Sequence, residues 1–256
     1  MVENDRTIQI IGIDCATTPQ RTGISLGTFS KDGVSVQEAL ICSQMRRPED
    51  LAVEWVNSSK DQKTLIAIDA PLGWPLLLTT GLVFHAAGTS IQGNADKLFF
   101  RRTEQMVLER FGIRPLAVGA DRIARTAHAA LALIESIRRR MNAEIPLVRA
   151  NNNLPSISLI EVYPAATLRS YNIIAGSYKK PTETDTRREI VGELAKHMRI
   201  ESTTRVGLVF NSDVLDSVVC LLAGADFFRG ECIEPECHTL AEKEGWIWVK
   251  KPNSVP

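Results

Sequence analysis

RTIQIIGIDCATTPQRTGISLGTFSKDGVSVQEALIC, residues 6–42, decides how the chain begins. An isoleucine-rich run, RTIQIIGID (6–14), stops on Asp14 at a polar turn. TGISLGTFS (22–30) and VSVQEALIC (34–42) follow, joined by the tight turn KDG (31–33). Apolar segments of strand length separated by turn-forming residues predict an antiparallel meander of three strands. Asp14 then has two readings: it opens the turn, or it stands at the lip of the sheet as a ligand. Taken alone, the motif favours the turn.

Working outward, PEDLAVEWVNSSK (48–60) has proline at a first helical position and acids in the first turn, the signature of a helix start. The strand TLIAID (64–69) comes next and ends on Asp69, where Ala-Pro forces the chain out of the sheet. A helix between the meander and this strand implies a crossover, and hence a parallel neighbour. Two aspartates ending adjacent parallel strands would stand roughly 5 Å apart, the inter-strand spacing. Like charges that close call for a divalent cation or a shared proton.

From Pro71 to Pro155 the pattern loosens. APLGWP (70–75) is a rigid turn, 79–97 a loop or short helices, RTEQMVLERFG (102–112) a helix stopped by glycine, and 121–140 a long helix. A largely helical insertion at about 76–155 within one domain spanning 1–256 is the expected organisation. Regular alternation returns with the strand ISLIEVYP (157–164), a helix over 182–198, a second helix NSDVLDSVVCLLAGADFF (211–228) and a closing strand GWIWV (245–249). In the second helix Asp213 and Asp216 share one face, and the surrounding residues are apolar almost all round. Asn211 or Ser212 can cap it, and Asp213 then complements the helix dipole; Asp216 lies deeper and has no such excuse. Oxygen ligands from two strand ends and one helix start suit magnesium or manganese.

Composition excludes several classes. The 256 residues carry 30 basic and 30 acidic side chains, so no global field attracts a polyanion. The charge is uneven: residues 97–149 hold eleven Lys/Arg against five acids, 11 − 5 = +6, which reads either as solvated helix faces or as a phosphate-facing patch. Five scattered cysteines argue against a disulfide framework. No signal-peptide pattern or membrane-length apolar run is visible, and a cytoplasmic protein is expected. CIEPECH (232–238, with Cys232, Cys237 and His238) lacks the second ligand pair of a zinc site, and His85, His128 and His197 lack a nucleophile partner. The glycine-rich nucleotide cradles are missing.

With the insertion set aside, three antiparallel strands, helix, strand, helical region, strand and helices is the element order of a ribonuclease-H-like mixed sheet flanked by helices. GIDCA, IAIDAPLG, RRTE, EVYP and SDVLDSVVCLLAG together resemble the bacterial domain-of-unknown-function family 429, regarded as predicted nucleases of the ribonuclease H superfamily. The resemblance covers most of the chain. It implies metal-binding acids at Asp14, Asp69 and Asp216, with Asp213 added through an Asp-x-x-Asp pair similar to that of Holliday-junction resolvases. Ribonuclease H itself carries an acid on its first helix; Glu49, Asp50 and Glu54 occupy that region here without a distinctive setting, and Glu161 of EVYP is the preferred fourth acid. Arg101, Arg102 and Glu104 of RRTE are the expected substrate contacts.

The implied activity is hydrolysis of phosphodiester bonds by a two-metal mechanism, with magnesium or manganese as cofactor and DNA or RNA as partner. Two rivals stand beside it. A non-catalytic binding module for nucleic acid or protein would keep the fold and lose the chemistry. An actin-like phosphotransferase would need a duplicated domain that 256 residues do not accommodate.

Overall fold

The structure is a computed structural model that describes residues 7–59, 61–119, 122–173 and 176–252. Arg6, Lys60 and Asp121, the outer ends of three expected elements, lie outside the described residues. Strands β1 (Ile8–Asp14), β2 (Gly23–Ser30) and β3 (Gly33–Ile41) form the expected meander. Helix α1 (Pro48–Ser58) carries the chain over to β4 (Thr64–Asp69), which lies parallel to β1. Helices α2 (Leu76–Leu82), α3 (Ala95–Phe99), α4 (Arg102–Phe111) and α5 (Ile123–Met141) follow before β5 (Ile157–Glu161) joins β4 in parallel. The remainder is α6 (Pro164–Ser170), α7 (Thr184–Leu194), β6 (Met198–Arg199), α8 (Ser202–Phe210), α9 (Ser212–Arg229) and α10 (His238–Glu244). The sheet order is β5-β4-β1-β2-β3-β6, a ribonuclease-H-like mixed sheet flanked by helices.

Each face of the sheet has its own core. Alternation along β1 and β4 sends Ile10, Leu65 and Ala67 to the face covered by α9, and Ile11, Ile13, Ile66 and Ile68 to the face covered by α1 and α5. A strand buried on both faces reads as a continuous apolar run, which is why IQIIGID looks as it does.

Helix α9 lies unusually close to the sheet, and glycine makes this possible. A Cβ on Gly12 would stand 2.1 Å from the Ser217 carbonyl oxygen, and one on Gly23 would stand 2.0 Å from that of Asp213. Ser25 Oγ donates to the Ser217 carbonyl at 2.8 Å across the same contact. The Asn211 side chain caps α9 by accepting from the amides of Asp213 and Val214, at 2.9 and 3.1 Å, as its sequence predicts. Gly230, at φ 71°, ends the helix in the left-handed conformation.

The chain differs from its sequence reading in several elements: the strand expected over 157–164 ends at Glu161 and Pro164 opens α6, and α8 and α10 lie where no helix is expected. The helix expected over 182–198 stops at Leu194, and Met198 and Arg199 form a sixth strand parallel to β3. GWIWV makes no continuous strand. Ile247 N–H donates to Thr103 Oγ1 and Trp248 N–H to the Glu161 carbonyl, which leaves a single parallel bridge to β5. Among the described residues no helix is long and apolar enough to cross a membrane.

Candidate metal centre

Parity along the strands builds the site. Asp14 is two residues from Gly12 and Asp69 two from Ala67, so both carboxylates leave the sheet on the face that α9 covers. The two residues are direct register partners at the ends of β1 and β4. From above, α9 lowers Asp216, fully buried, one turn beyond its N-terminus. One carboxylate oxygen from each of Asp14, Asp69 and Asp216 lies within 4.8 Å of the others.

A loop outside the sheet completes the cluster. Lys179 Nζ sits 2.5 Å from Asp216 Oδ2, and the Tyr178 hydroxyl donates to Asp216 Oδ1 at 2.7 Å. Buried Arg187 on α7 holds this loop by its backbone, donating to the carbonyls of Tyr178, Lys180 and Pro181 and, at 2.6 Å, to that of Val209. Neither Lys179 nor Arg187 carries a periodic or motif signal in the sequence. A lysine two residues before Pro181 in a polar loop reads as solvent-facing, and the Lys179 side chain does stay 53% exposed while its ammonium reaches Asp216.

The electrostatics follow from crowding. Burial, then the charge of Asp216, pushes Asp14 well above the ordinary carboxylate range; Lys179 opposes the shift, and Asp69 and Asp213 add to it. Burial likewise pushes Asp69 up to about 7, with Lys179 opposing and Asp216 and Glu161 adding. Lys179 is raised in turn: burial works against its charge, but Asp216 and its neighbours outweigh that. Tyr163, at the start of α6, is pushed up to about 12 by burial and by Asp69, so it stays a hydroxyl donor at neutral pH.

Asp14, Asp69, Tyr163 and Lys179 line a cleft of about 620 Å³ that also takes in Asp213, Arg21, Arg122 and Arg125, with Asp216 buried behind it. Asp213 reaches the cleft but stands outside the group of three. Glu161 is one register step away. It pairs with Ile68, one residue short of Asp69, yet with Arg101 and Glu104 it still lines the cleft, where its charge adds to the upward shift of Asp69. There it meets Arg101, which has no exposed surface and donates to both oxygens of Glu161, at 2.9 and 2.6 Å, to Glu104 and to the Glu244 carbonyl. The Glu104 carboxylate also accepts from the Arg101 amide at 2.6 Å. Burial opposes the charge on Arg101, and Glu104 and Glu161 more than restore it. Arg102 turns the other way, to Glu109 and Glu236. The arginines expected to meet phosphate are thus committed to carboxylates of the protein itself, because Arg101 caps α4 from inside and Arg102 faces α10. Glu49 on α1 is paired with Arg47 and Arg140, and Asp50 with Arg140.

The donor set fits a hard divalent cation. It consists of carboxylate oxygens alone, with burial raising the proton affinity of Asp14 and Asp69, and a single ammonium stands against three acids. Among the described residues no other group of His, Cys, Asp and Glu meets that geometry.

A mixed sheet of this order, with acids at the ends of two parallel strands and on the helix packed across them, defines a protein of the ribonuclease-H-like class. More narrowly, the chain belongs to the family described as "Protein of unknown function (DUF429)", which its residues 12–239 match. Among solved structures it is similar to "T. thermophilus RuvC in complex with Holliday junction substrate", at 10% sequence identity and a TM-score of 0.32, over 85% of this chain and 97% of that one. A search of the curated proteins finds no match.

Proposed function

We propose that this protein is a metal-dependent nuclease that hydrolyses phosphodiester bonds of DNA or RNA in the cytoplasm, with magnesium or manganese held by Asp14, Asp69 and Asp216. The observation that carries the reading is the convergence of three carboxylates from β1, β4 and α9 within 4.8 Å, two of them lining an open cleft. A divalent ion bound there would polarise a phosphoryl group and lower the pKa of water, the two demands of phosphodiester hydrolysis.

The chain's own residues have separate tasks in this reading. Asp14, at the centre of the electrostatic cluster, is the shared ligand, and Asp69 and Asp216 flank it. Lys179 offsets part of the negative charge and, with Tyr178, fixes the Asp216 carboxylate. Tyr163 offers a neutral hydroxyl, and Arg21 and Arg125 bring positive charge to the cleft rim for a phosphate. Asp213 serves from the outer edge. Glu161 and Glu104 act at one remove: both fix Arg101, and Glu161 also accepts from the Leu72 amide at 3.0 Å, which holds the chain that leaves β4.

A second reading has one observation in its favour. The Lys179 ammonium already pairs with Asp216, as it would in a non-catalytic binding module that keeps its acids for structure. Assaying single-stranded, duplex, branched and hybrid substrates with manganese separates the two. A nuclease cleaves at least one, and Asp14→Asn loses at least ~100-fold of that rate if the metal supplies several kcal/mol of transition-state stabilisation. Intact substrates throughout, or cleavage undiminished in Asp14→Asn, favour the binding module.

A further inference from the structure

Helix α5 carries a pattern that the metal centre does not use. Arg125, Ala129, Ala132, Ser136 and Arg139 recur at spacings of four, three, four and three, which places them on one face of the helix. Small residues form the middle of this stripe, and an arginine stands at each end. Arg125 lines the carboxylate cleft. Ala129, Ala132, Ser136 and Arg139 line a neighbouring cavity of about 350 Å³. That cavity shares Cys15, Ala16 and Thr17 with the cleft, and shares Arg47, Glu49, Ser136 and Arg139 with a third opening of about 480 Å³. The three openings therefore run on from one another, from Asp14 past the end of β1 and along α5 to the N-terminus of α1.

The charge along this run is positive. Arg21, Arg125 and Arg139 are exposed and make no ion pair among the described residues. The buried acid of the far opening, Glu49, is already neutralised by Arg47 and Arg140. Several other charges of the basic stretch are already paired: Arg114 with Asp96, Arg149 with Glu242, Arg101 with buried Glu104 and Glu161, and Arg102 with Glu109 and Glu236. Such a stripe, with a floor of small side chains and arginine at intervals, admits a polymer of regularly spaced anions and gives it no apolar surface to grip. Its two end arginines stand about 21 Å apart along the helix axis, several nucleotide steps.

We propose that the α5 groove holds the sugar–phosphate backbone of one nucleic-acid strand, with Arg125 and Arg139 as phosphate contacts, and leads that strand to the carboxylate cluster; this rests on the nuclease reading above. An arginine that contacts phosphate positions the strand without reading its sequence, so binding through the groove is salt-dependent and sequence-tolerant.

The test is fluorescence anisotropy of a labelled oligonucleotide, in chelator so that nothing is cut, over a series of salt concentrations. The proteins compared are the wild type, the Arg125→Gln/Arg139→Gln double variant, and Arg188→Gln as a control on α7, remote from the groove. Losing two contacts lowers the slope of log K against log salt by about 1.4 for a single strand, at ~0.7 per phosphate, with the melting temperature unchanged. The control keeps the wild-type slope. A double variant with the wild-type slope overturns the groove and leaves the nuclease reading standing. A wild type that binds no nucleic acid and cleaves none removes that reading and the groove with it. Polyglutamate binding in place of nucleic acid assigns the groove to an acidic polypeptide and overturns the proposal.

Discussion

Asp14 and Asp69 are register partners on the parallel strands β1 and β4, so their carboxylates leave the same face of the sheet at the same height. Burial first, then neighbouring carboxylates, raises both, and this makes the metal-free site a store of unfavourable charge.

Stability of the metal-free protein should therefore fall as pH rises. Asp69 titrates at about 7 in the folded chain against an ordinary value of 3.8, so folding takes up a proton between those values. The stabilising contribution is present below about pH 4 and is lost as pH climbs through about 7. Melting curves of the wild type and Asp69→Asn, run in chelator at about pH 5 and pH 8, should diverge in the variant's favour at the higher pH. Parallel pH profiles would mean that Asp69 is not held in a raised state.

Lys179 is the one ammonium seated against the Asp216 carboxylate, and a divalent ion would compete with it for that carboxylate. Lys179→Met should lower the melting temperature in chelator and enlarge the rise produced by saturating manganese. For the wild type that rise should correspond to about 2.7 kcal/mol at a hundredfold excess over Kd. A manganese response identical in the two proteins would separate Lys179 from the metal centre.

Arg101 neutralises two buried carboxylates at once, and its loss strands both. Arg101→Met should cost ~3–5 kcal/mol in urea denaturation, the usual penalty for breaking a buried ion pair from one side. A change below about 1 kcal/mol would instead place Arg101 among the surface pairs.

The meander, the crossover to β4 and the greasy helix α9 were legible because each rests on local chemistry: alternation, a Pro-led helix start, an Asn cap. The three converging acids were legible for the same reason, as Asp14 and Asp69 each end an apolar strand and Asp216 interrupts an apolar helix one turn in. Glu161 also ends a strand and lines the cleft, but its register partner is Ile68 rather than Asp69, and its two oxygens are taken by Arg101 and the Leu72 amide. Sequence does not print register. Arg101 and Arg102 belonged to a basic stretch, and their burial depends on where α4 meets α10 and β5, contacts made across 60 residues and more of chain. Lys179 and Arg187 were invisible because the loop they organise is fixed by a side chain donating to backbone carbonyls, which leaves no pattern in the sequence.

The central claim is that Asp14, Asp69 and Asp216 form one divalent-metal site. Anomalous diffraction from crystals soaked in manganese tests it most directly. The account predicts a peak about 2.1 Å from an oxygen of Asp14 and of at least one of Asp69 and Asp216, absent from Asp14→Asn crystals of the same form. Wild-type crystals with no anomalous peak at the cluster at saturating manganese, and Lys179 still paired with Asp216, would contradict it.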